Sequence, residues 1–357
     1  MFINSQTIQQ DIRFQIITFM DKIFKEDCEY ILKNINIKKF KNSKILVLGA
    51  NGFFATYLQG VLSSVKCDIT SLSLSKPRGL FKKIYKNSNI KFIKLNLDDL
   101  KKFNIIANKK FDYIFHCATY GQPKKWNGNE WSTINLNVNV LKSILDNSIK
   151  FRSKILYLSS ASVYKLPKNN KIINESSELG LGTFFNEMIY ASSKIVGEKL
   201  CEYYRYKYKS QVYIARPAHT YGPGQDFNDP RVIPQLIKRA IKEKRIYMFD
   251  SGKTVRTWCY IADVTIMLLN IITNGKSLIY NVGGNDYLSI YKIAQIISKS
   301  RNNIPIQIKN KNLKFTNSKP SKLKISSNKY KKEFQNKAHI SFYDGIDRLI
   351  KWNLNKK

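Results

Sequence analysis

A chain of 357 residues with 43% hydrophobic and 13% aromatic residues can bury a substantial core, which excludes a wholly disordered protein and allows one large or two modest domains. Its net charge of +36 would suit nucleic-acid binding, but the lysines are spread along the whole chain instead of forming one basic arm. We therefore expect no nucleic acid as partner and attribute the charge to composition, with attraction of an anionic substrate as its consequence.

The cysteines and the apolar segments indicate the cellular compartment of the protein. The five cysteines are odd in number and widely scattered, and none forms a Cys-x-x-Cys pair with histidine partners. This pattern disfavours a disulfide scaffold and a zinc site, so we predict no metal and a reducing, cytoplasmic environment. No secretory signal is visible, and the apolar stretch Phe14–Met20 is shorter than the ~20 residues of a membrane span, so no span is predicted.

Residues 1–42 precede the first glycine turn and are predicted to form one or two amphipathic helices. Apolar side chains recur there every three to four residues, which is the spacing of one helix face. They include Ile8, Ile12, Ile16, Phe19 and Ile23. We expect an added helical layer that packs on the core or contacts a second subunit. Because Lys38–Lys41 is basic, a helix lying on a membrane surface is the alternative.

From Lys44 onward, short apolar strands alternate with helical stretches, which predicts a Rossmann-type, doubly wound parallel sheet of the α/β class. The predicted strands are Ile45–Leu48, Asp68–Leu74, Ile90–Leu95, Tyr113–Ala118, Lys154–Ser159 and Gln211–Arg216. We assign residues 43–221 to this dinucleotide-binding domain, with 256–282 returning to it, and residues 222–255 and 283–357 to a smaller substrate-binding lobe. Ligands of such sheets bind beyond the carboxyl ends of the strands.

The turn Gly49-x-x-Gly52-x-x-Ala55 follows the first strand and opens a helix, as a dinucleotide-binding turn does. Its glycines permit a tight bend and let backbone N–H groups approach a pyrophosphate. The acidic residue expected about 20 residues later, which would hold the ribose hydroxyls, is missing. The second strand leads instead into Ser75 and Arg78, whose hydroxyl and charge suit a 2′-phosphate. NADP is therefore favoured over NAD, and NAD remains the alternative.

A second pattern indicates proton transfer. Tyr190-x-x-x-Lys194 opens a predicted helix, so the two side chains share one helix face. The same spacing occurs elsewhere, for example at Tyr203 and Lys207, but Tyr190 precedes a helix and lies 30 residues after Ser160, which follows a strand. A phenol has a pKa of ~10, so making it a base at neutral pH takes about 3 pKa units, or ~4 kcal/mol. A nearby ammonium and a positive nicotinamide ring can provide much of this.

These segments, together with Ser159–Tyr164 and Arg216–Gly224, resemble the extended short-chain dehydrogenase/reductase family, in its NAD-dependent nucleotide-sugar epimerase/dehydratase branch, from about Lys44 to Trp352. The resemblance implies that Ser160 is catalytic with Tyr190 and Lys194. It implies cofactor contacts at Gly49, Asn51, Gly52, Phe53, Phe54, Ser75, Arg78, Asn96, Leu97, Ala118, Asn137, Tyr190 and Lys194. It implies substrate contacts at Tyr120, Ser162, His219, Arg231 and Arg256.

The two positions after Ser160 bear on the type of reaction. The resemblance implies an acid pair there in 4,6-dehydratases and a glutamate in decarboxylases, whereas this chain has Ala161 and Ser162. It therefore favours an epimerase that oxidises and re-reduces a carbinol, at C4, of a nucleotide-diphosphate sugar. Such an enzyme would act in the synthesis of polysaccharide or glycoconjugate precursors.

Several alternatives remain open on sequence grounds. Three glutamates lie between Ser160 and Tyr190, namely Glu175, Glu178 and Glu187, and one of them could supply the acid that a 4,6-dehydratase needs. A decarboxylase and a 4-keto reductase are further alternatives. In a different class, the net charge of +36 supports a non-catalytic or RNA-binding protein of the same fold. We expect a homodimer.

Overall fold

The computed structural model describes residues 21–122, 125–167, 169, 171–181, 185–284, 286–308 and 321–355, with the backbone alone for residues 185–187. The helical prediction for residues 1–20 and the side chain of Glu187 therefore lie outside the described residues. No helix in the described part of the chain is long and apolar enough to cross a membrane. The five cysteines are all described and are free thiols.

Seven parallel strands form the central sheet. They are β1 (Lys44–Leu48), β2 (Asp68–Ser73), β3 (Lys91–Lys94), β4 (Tyr113–His116), β5 (Lys154–Leu158), β6 (Val212–Pro217) and β10 (Ile279–Val282). Their order in the sheet is β3-β2-β1-β4-β5-β6-β10, which confirms the predicted Rossmann-type fold and its six strands. β1 is an interior strand and is fully buried from Ile45 to Leu48, because both of its faces are covered, and this explains its unbroken apolar run.

Most of the helices cover the two faces of this sheet, and the others pack on strands outside it. They are α1 (Lys22–Lys33), α2 (Phe53–Leu62), α3 (Gly79–Lys86), α4 (Leu100–Ala107), α5 (Glu130–Asn135), α6 (Leu141–Phe151), α7 (Phe185–Tyr208), α8 (Val232–Lys242), α9 (Ile261–Asn274), α10 (Ile290–Lys299), α11 (Asn328–Phe334) and α12 (Phe342–Leu354). Alternate residues of β1 face opposite layers: Val47 packs in the core formed with α2 and α9, and Leu46 packs in the core formed with α4 and α6.

A smaller four-stranded sheet contains β7 (His219–Tyr221), β9 (Val255–Tyr260), β11 (Asp286–Ser289) and β13 (Lys322–Leu323), and β8 (Ile246–Met248) pairs separately with β12 (Ile306–Ile308). Residues 256–282 were predicted to return to the central domain as a whole, but β9 does not pair with the central sheet. It pairs with β7, β11 and β13, whereas α9 packs on the central sheet and β10 pairs with β6. The reason is that β7 follows β6 after the single residue Ala218 and gives β9 a parallel edge to pair with.

A buried carboxylate ties α1 to the rest of the protein. Asp27 is fully buried and accepts hydrogen bonds from the hydroxyls of Tyr57 (2.9 Å) and Tyr260 (2.8 Å) and from Nη1 of Arg348 (2.8 Å). Because these partners lie in α2, β9 and α12, one side chain joins four elements. Burial raises the pKa of Asp27 to about 6, and the three donors limit that rise.

We expect Asp27 to weaken the fold as pH rises. Its pKa in the folded protein, about 6, is above the ~3.9 of an unfolded chain. Its contribution to stability is therefore fully present below about pH 4 and is lost as pH rises through about 6. Relative to Asp27→Asn, whose side chain does not titrate, the free energy of unfolding should fall by about 2 kcal/mol between about pH 4 and about pH 7. Urea unfolding across this range measures the difference, and parallel curves for the two proteins would contradict it.

Candidate active site

The glycine turn after β1 has no room for larger side chains. Gly49 adopts a left-handed conformation with a φ of 81°, and a Cβ atom there would lie 2.8 Å from the backbone of Ala118. A Cβ atom on Gly52 would lie 2.9 Å from the carbonyl oxygen of Gly49. The N–H groups of Gly49 and Ala50 both donate to the carbonyl of Leu72, which fixes the turn against β2.

The N-terminus of α2 follows this turn directly and is suited to an anion. Gly52 precedes the helix and provides no side-chain acceptor for the N–H groups of its first turn. Such uncapped N–H groups, together with the helix dipole, attract a pyrophosphate. The half-buried residues Phe53 and Phe54, both predicted cofactor contacts, form the start of this helix.

Asn51 connects the glycine turn to the segment after β2. Its Nδ2 donates to the carbonyl of Ser75 (2.9 Å), and its Oδ1 accepts from the N–H of Arg78 (3.1 Å). These bonds bring Ser75 and Arg78 beside the turn, with the Arg78 side chain exposed to solvent. After β3, Asn96 is exposed and Leu97 is buried.

Tyr190 and Lys194 lie in the first half of α7, and both are buried, with 7% and 1% of their surface exposed. Nζ of Lys194 lies 6.0 Å from the centre of the Tyr190 ring and donates to the carbonyl of Leu158, the last residue of β5, at 2.5 Å. Ser160 stands two residues after Leu158, and its Oγ caps the helical turn Ala161–Val163. The structure thus places Lys194 at the carboxyl end of β5, which lies two residues before Ser160. Tyr190 lies one turn earlier on the same helix as Lys194.

Burial governs the charge of Lys194. Removal from water lowers the pKa of Lys194 to about 7, although nearby groups, including Cys117 and Glu198, oppose the shift. The ammonium therefore keeps part of its charge at neutral pH and is sensitive to any negative group that binds beside it. His116 is fully buried in β4, and burial, followed by the charge of Lys194, lowers the pKa of His116 to about 3, so its imidazole is neutral.

A fully buried ion pair holds the segment after β5 in place. Arg216 of β6 donates through Nη2 and Nε to the carboxylate of Glu198 in α7, at 2.5 and 2.8 Å. Glu198 also accepts from Oγ of Ser159 (2.5 Å), and Arg216 donates to the hydroxyl of Tyr164 (2.8 Å). Removing one partner of such a pair leaves an uncompensated buried charge. Arg216, the first residue of the predicted substrate-side segment, is therefore a structural residue.

The predicted substrate residues near β7 and β9 form a cationic region. His219 remains exposed to solvent, and its ring lies 5.1 Å from that of Trp258. Desolvation by the surrounding protein atoms, followed by the charges of Arg256 and Arg231, lowers the pKa of this imidazole to about 3, so the ring is neutral. Two positive charges near a neutral imidazole suit an anionic ligand such as a diphosphate.

Both of these arginines also bind groups of the chain itself. Nη2 of Arg231 donates to the carboxylate of Asp229 at 2.6 Å, so a bound phosphate would share this guanidinium with Asp229. Nη1 of Arg256 donates to the carbonyl of Ser321 at 2.9 Å, which holds β9 against the segment before β13. The two other predicted substrate contacts, at positions 120 and 162, are half-buried at the carboxyl ends of β4 and β5.

Comparison with known proteins identifies the family to which the chain belongs. The family described as the NAD dependent epimerase/dehydratase family matches residues 45–283. The chain belongs to this family. That result confirms the resemblance drawn from the four motifs and makes the protein an enzyme of the NAD-dependent epimerase/dehydratase family.

Individual members of the family have low sequence identity to this chain. The bifunctional polymyxin resistance protein ArnA of Wigglesworthia glossinidia brevipalpis is 27% identical over 73% of this chain, and the match spans only 42% of that protein's length. The dTDP-4-dehydro-6-deoxy-D-allose reductase of Streptomyces bikiniensis is 23% identical over 71% of this chain and 79% of its own. The structure of the epimerase Mth375 from Methanothermobacter thermautotrophicus, at 19% identity, has a TM-score of 0.76 and covers 91% of this chain and 96% of its own, which shows the shared fold.

The residues of this family member fit the NAD on which the family depends. The turn has no room for a Cβ atom at Gly49 or Gly52, so it brings bare backbone to the start of α2, whose N-terminus has no side-chain cap. Asn137, a predicted contact, is fully buried and donates to Oγ of Ser193 (2.9 Å), while its Oδ1 has no hydrogen-bond partner among the described residues. Oγ1 of Thr119 is also buried without a hydrogen-bond partner among the described residues. Buried polar atoms without partners are places where a bound ligand can supply the missing bond.

Two contacts of the segment between β4 and α5 were not predicted from the sequence. The indole of Trp126 stacks on the Tyr190 ring, with centroids 5.1 Å apart and planes inclined by 19°. Nε2 of Gln122 donates to Oδ2 of Asp229 (2.9 Å), the carboxylate that also holds Arg231. Both residues belong to the irregular segment between β4 and α5. The sequence contains one indication of a role for this segment, namely that it follows the carboxyl end of a parallel strand.

Proposed function

We propose that this enzyme is a nucleotide-diphosphate-sugar epimerase that inverts a carbinol at C4 of the sugar, in the cytoplasm, for polysaccharide or glycoconjugate precursors. One observation carries the proposal: the turn after Ser160 has no acid. Ala161 is buried and Ser162 is half-buried in that turn, so neither position presents a carboxylate to the site. Elimination of water would need such a group to move a second proton.

Two of the three alternative glutamates have other partners. The Oε1 atom of Glu175 accepts from the N–H of Asn281 in β10 at 2.9 Å. Glu178 forms an ion pair with Lys165 at 2.6 Å, and its side chain is 71% exposed. These contacts support redox chemistry at a single carbon over a dehydratase reaction.

In this proposal, Tyr190 removes the proton of the sugar hydroxyl and later returns it. The charge of Lys194 stabilises the phenolate, and Oγ of Ser160 bridges the sugar hydroxyl and the phenol at the end of β5. The turn at Gly49 and Gly52 would hold the pyrophosphate of NAD, and the bound cofactor would supply reversible hydride transfer at the carbinol carbon. The burial of Tyr190 and Lys194 keeps water away from both groups.

The substrate is assigned to the cationic region near β7 and the lobe formed by residues 222–255 and 283–357. Arg231, Arg256 and His219 would hold the diphosphate, and Tyr120 and Ser162 would contact the sugar. The carboxyl ends of β4 and β5 would then lie at the sugar, which agrees with the general position of ligands on such sheets.

A product analysis tests the proposed function. The purified enzyme is incubated with NAD and a panel of UDP-, dTDP-, GDP- and CDP-sugars, and the products are weighed. We expect an isobaric product without net consumption of cofactor. Loss of water would show a 4,6-dehydratase, loss of carbon dioxide a decarboxylase, and each of these results would overturn the proposal.

A keto-sugar reductase is the second candidate, favoured by the groups after β2. The exposed Arg78 and the hydroxyl of Ser75 suit the 2′-phosphate of NADP, and no carboxylate occurs between residues 73 and 78. We expect Arg78→Ser to weaken NADP binding about tenfold and to leave NAD binding nearly unchanged. Titration calorimetry with both cofactors measures this, and Lys82→Ser, also exposed, is the control. Equal losses for the two cofactors would show that Arg78 does not read the 2′-phosphate.

We also propose that the enzyme is a homodimer. Ile189, Val196 and Tyr203 recur every seven residues along α7 and are 39%, 47% and 48% exposed, so they form an apolar stripe on one face of this helix. A second copy of the same helix would cover it. Light scattering on the purified protein measures the mass that decides this.

A further inference from the structure

Trp126 covers one face of the residue proposed as the base. Its indole is nearly parallel to the Tyr190 ring, inclined by 19°, with the ring centres 5.1 Å apart. A stacked neighbour lies against the face of a phenol and leaves its hydroxyl edge accessible. The stack therefore does not block a sugar hydroxyl from reaching Tyr190, but it does restrict how the phenol ring can tilt.

The indole is itself held in a fixed orientation. Its Nε1 donates to the carbonyl of Tyr120 at 2.7 Å, four residues after the end of β4. From the same segment, Gln122 reaches Asp229 at 2.9 Å, next to Arg231. Trp126 is thus anchored to the end of the central sheet, and its segment is bonded to the region assigned to the diphosphate.

Tyr190 needs such support because of where it lies. It is in the first turns of α7, with Lys194 one turn further on. The Lys194 ammonium lies closer to the Tyr157 ring, at 4.6 Å, than to the Tyr190 ring, at 6.0 Å. The indole of Trp126 is an aromatic neighbour of Tyr190 and stacks on its ring.

We propose that Trp126 is a positioning residue that holds the Tyr190 phenol in the orientation needed for proton transfer. This inference rests on the proposed role of Tyr190 as base. The indole makes no bond to the substrate in this account. It acts by fixing the plane of the phenol and by excluding water from one of its faces.

Trp131 provides a matched control for the test. It lies five residues further along the chain, in α5, and is 82% exposed. We expect Trp126→Ala to lower kcat about tenfold or more with little change in KM, and to displace the limb of the pH profile that belongs to the base. Trp126→Phe, which keeps an aromatic face, should restore most of the rate and the original pH profile. Trp131→Ala should behave as the unchanged enzyme.

Several kinetic results would overturn the proposal. One is an unchanged kcat and pH profile in Trp126→Ala. Another is a rise in KM alone, which would make Trp126 a wall of the sugar site instead of a support for the phenol. A third is a loss of kcat with no change in the pH profile, which would indicate only poorer packing.

Fluorine NMR tests the stack without any turnover. The chain has four tryptophans, so fluorotryptophan labelling gives four signals, and Trp126→Phe identifies the one from Trp126. Replacing Tyr190 by Leu should shift this signal and leave that of Trp131 in place, because only Trp126 loses a ring neighbour. An unshifted Trp126 signal would disprove the stack in solution. A shifted signal in a protein that converts no nucleotide sugar would keep the stack and refute the proposed function instead.

Discussion

Tyr190→Phe is expected to lower turnover about 100-fold or more while leaving substrate binding nearly unchanged, because it removes the proton-transfer group and keeps the ring. The stack on Trp126 and the burial of the ring should both survive, since neither depends on the hydroxyl. Steady-state kinetics on the sugar that the product analysis identifies measures the effect.

The chain provides its own decoy for this experiment. Tyr203 has the same spacing to Lys207 as Tyr190 has to Lys194, and Nζ of Lys207 donates to its hydroxyl at 2.6 Å. Tyr203 is nevertheless 48% exposed on the outer face of α7. Tyr203→Phe should therefore be close to normal. If Tyr203→Phe were the inactive variant and Tyr190→Phe were active, the assignment of the base would be wrong.

Gly52→Val is expected to abolish detectable binding of NAD. A Cβ atom at this position already lies 2.9 Å from the carbonyl oxygen of Gly49, and a branched side chain would also occupy the approach to the first turn of α2. Calorimetric titration with NAD measures the loss, and circular dichroism checks that the fold persists.

A matched glycine variant separates this effect from a general disturbance. Gly121 lies in the irregular segment after β4, and the nearest atom to a Cβ there is Cγ2 of Thr119 at 3.9 Å. Gly121→Val should therefore leave NAD binding within about threefold of normal, because it adds a side chain where there is space. Equal binding of NAD by Gly52→Val and the unchanged enzyme would remove the glycine turn from the cofactor site.

The parts of the molecule that the sequence predicted well are those with local, periodic signals. The strand Ile45–Leu48 is an apolar run buried on both faces, and the turn at Gly49 needs a left-handed residue, so both were recognisable one element at a time. The same kind of local pattern predicted a helix at Lys194 with Tyr190 at its start, whereas α7 begins five residues earlier, at Phe185.

The parts that were missed depend on contacts between distant segments. β9 has the pattern of any buried strand, and its pairing with β7, β11 and β13, which come from distant parts of the chain, places it in the smaller sheet. The ion pair between Arg216 and Glu198 joins residues that are 18 positions apart, and no local pattern indicates it. Trp126 belongs to a segment without a periodic pattern, so the spacing of residues could not predict that its indole stacks on Tyr190.

The junction around Asp27 bonds the part of the protein that matches the family to helices outside that part. The family match spans residues 45–283, whereas Asp27 and Arg348 both lie outside that range. A fragment trimmed to the match would leave the hydroxyls of Tyr57 and Tyr260 without the carboxylate that accepts from both. Any attempt to transplant this catalytic module, or to exchange it with that of a relative, therefore has to carry both flanking helices along with it.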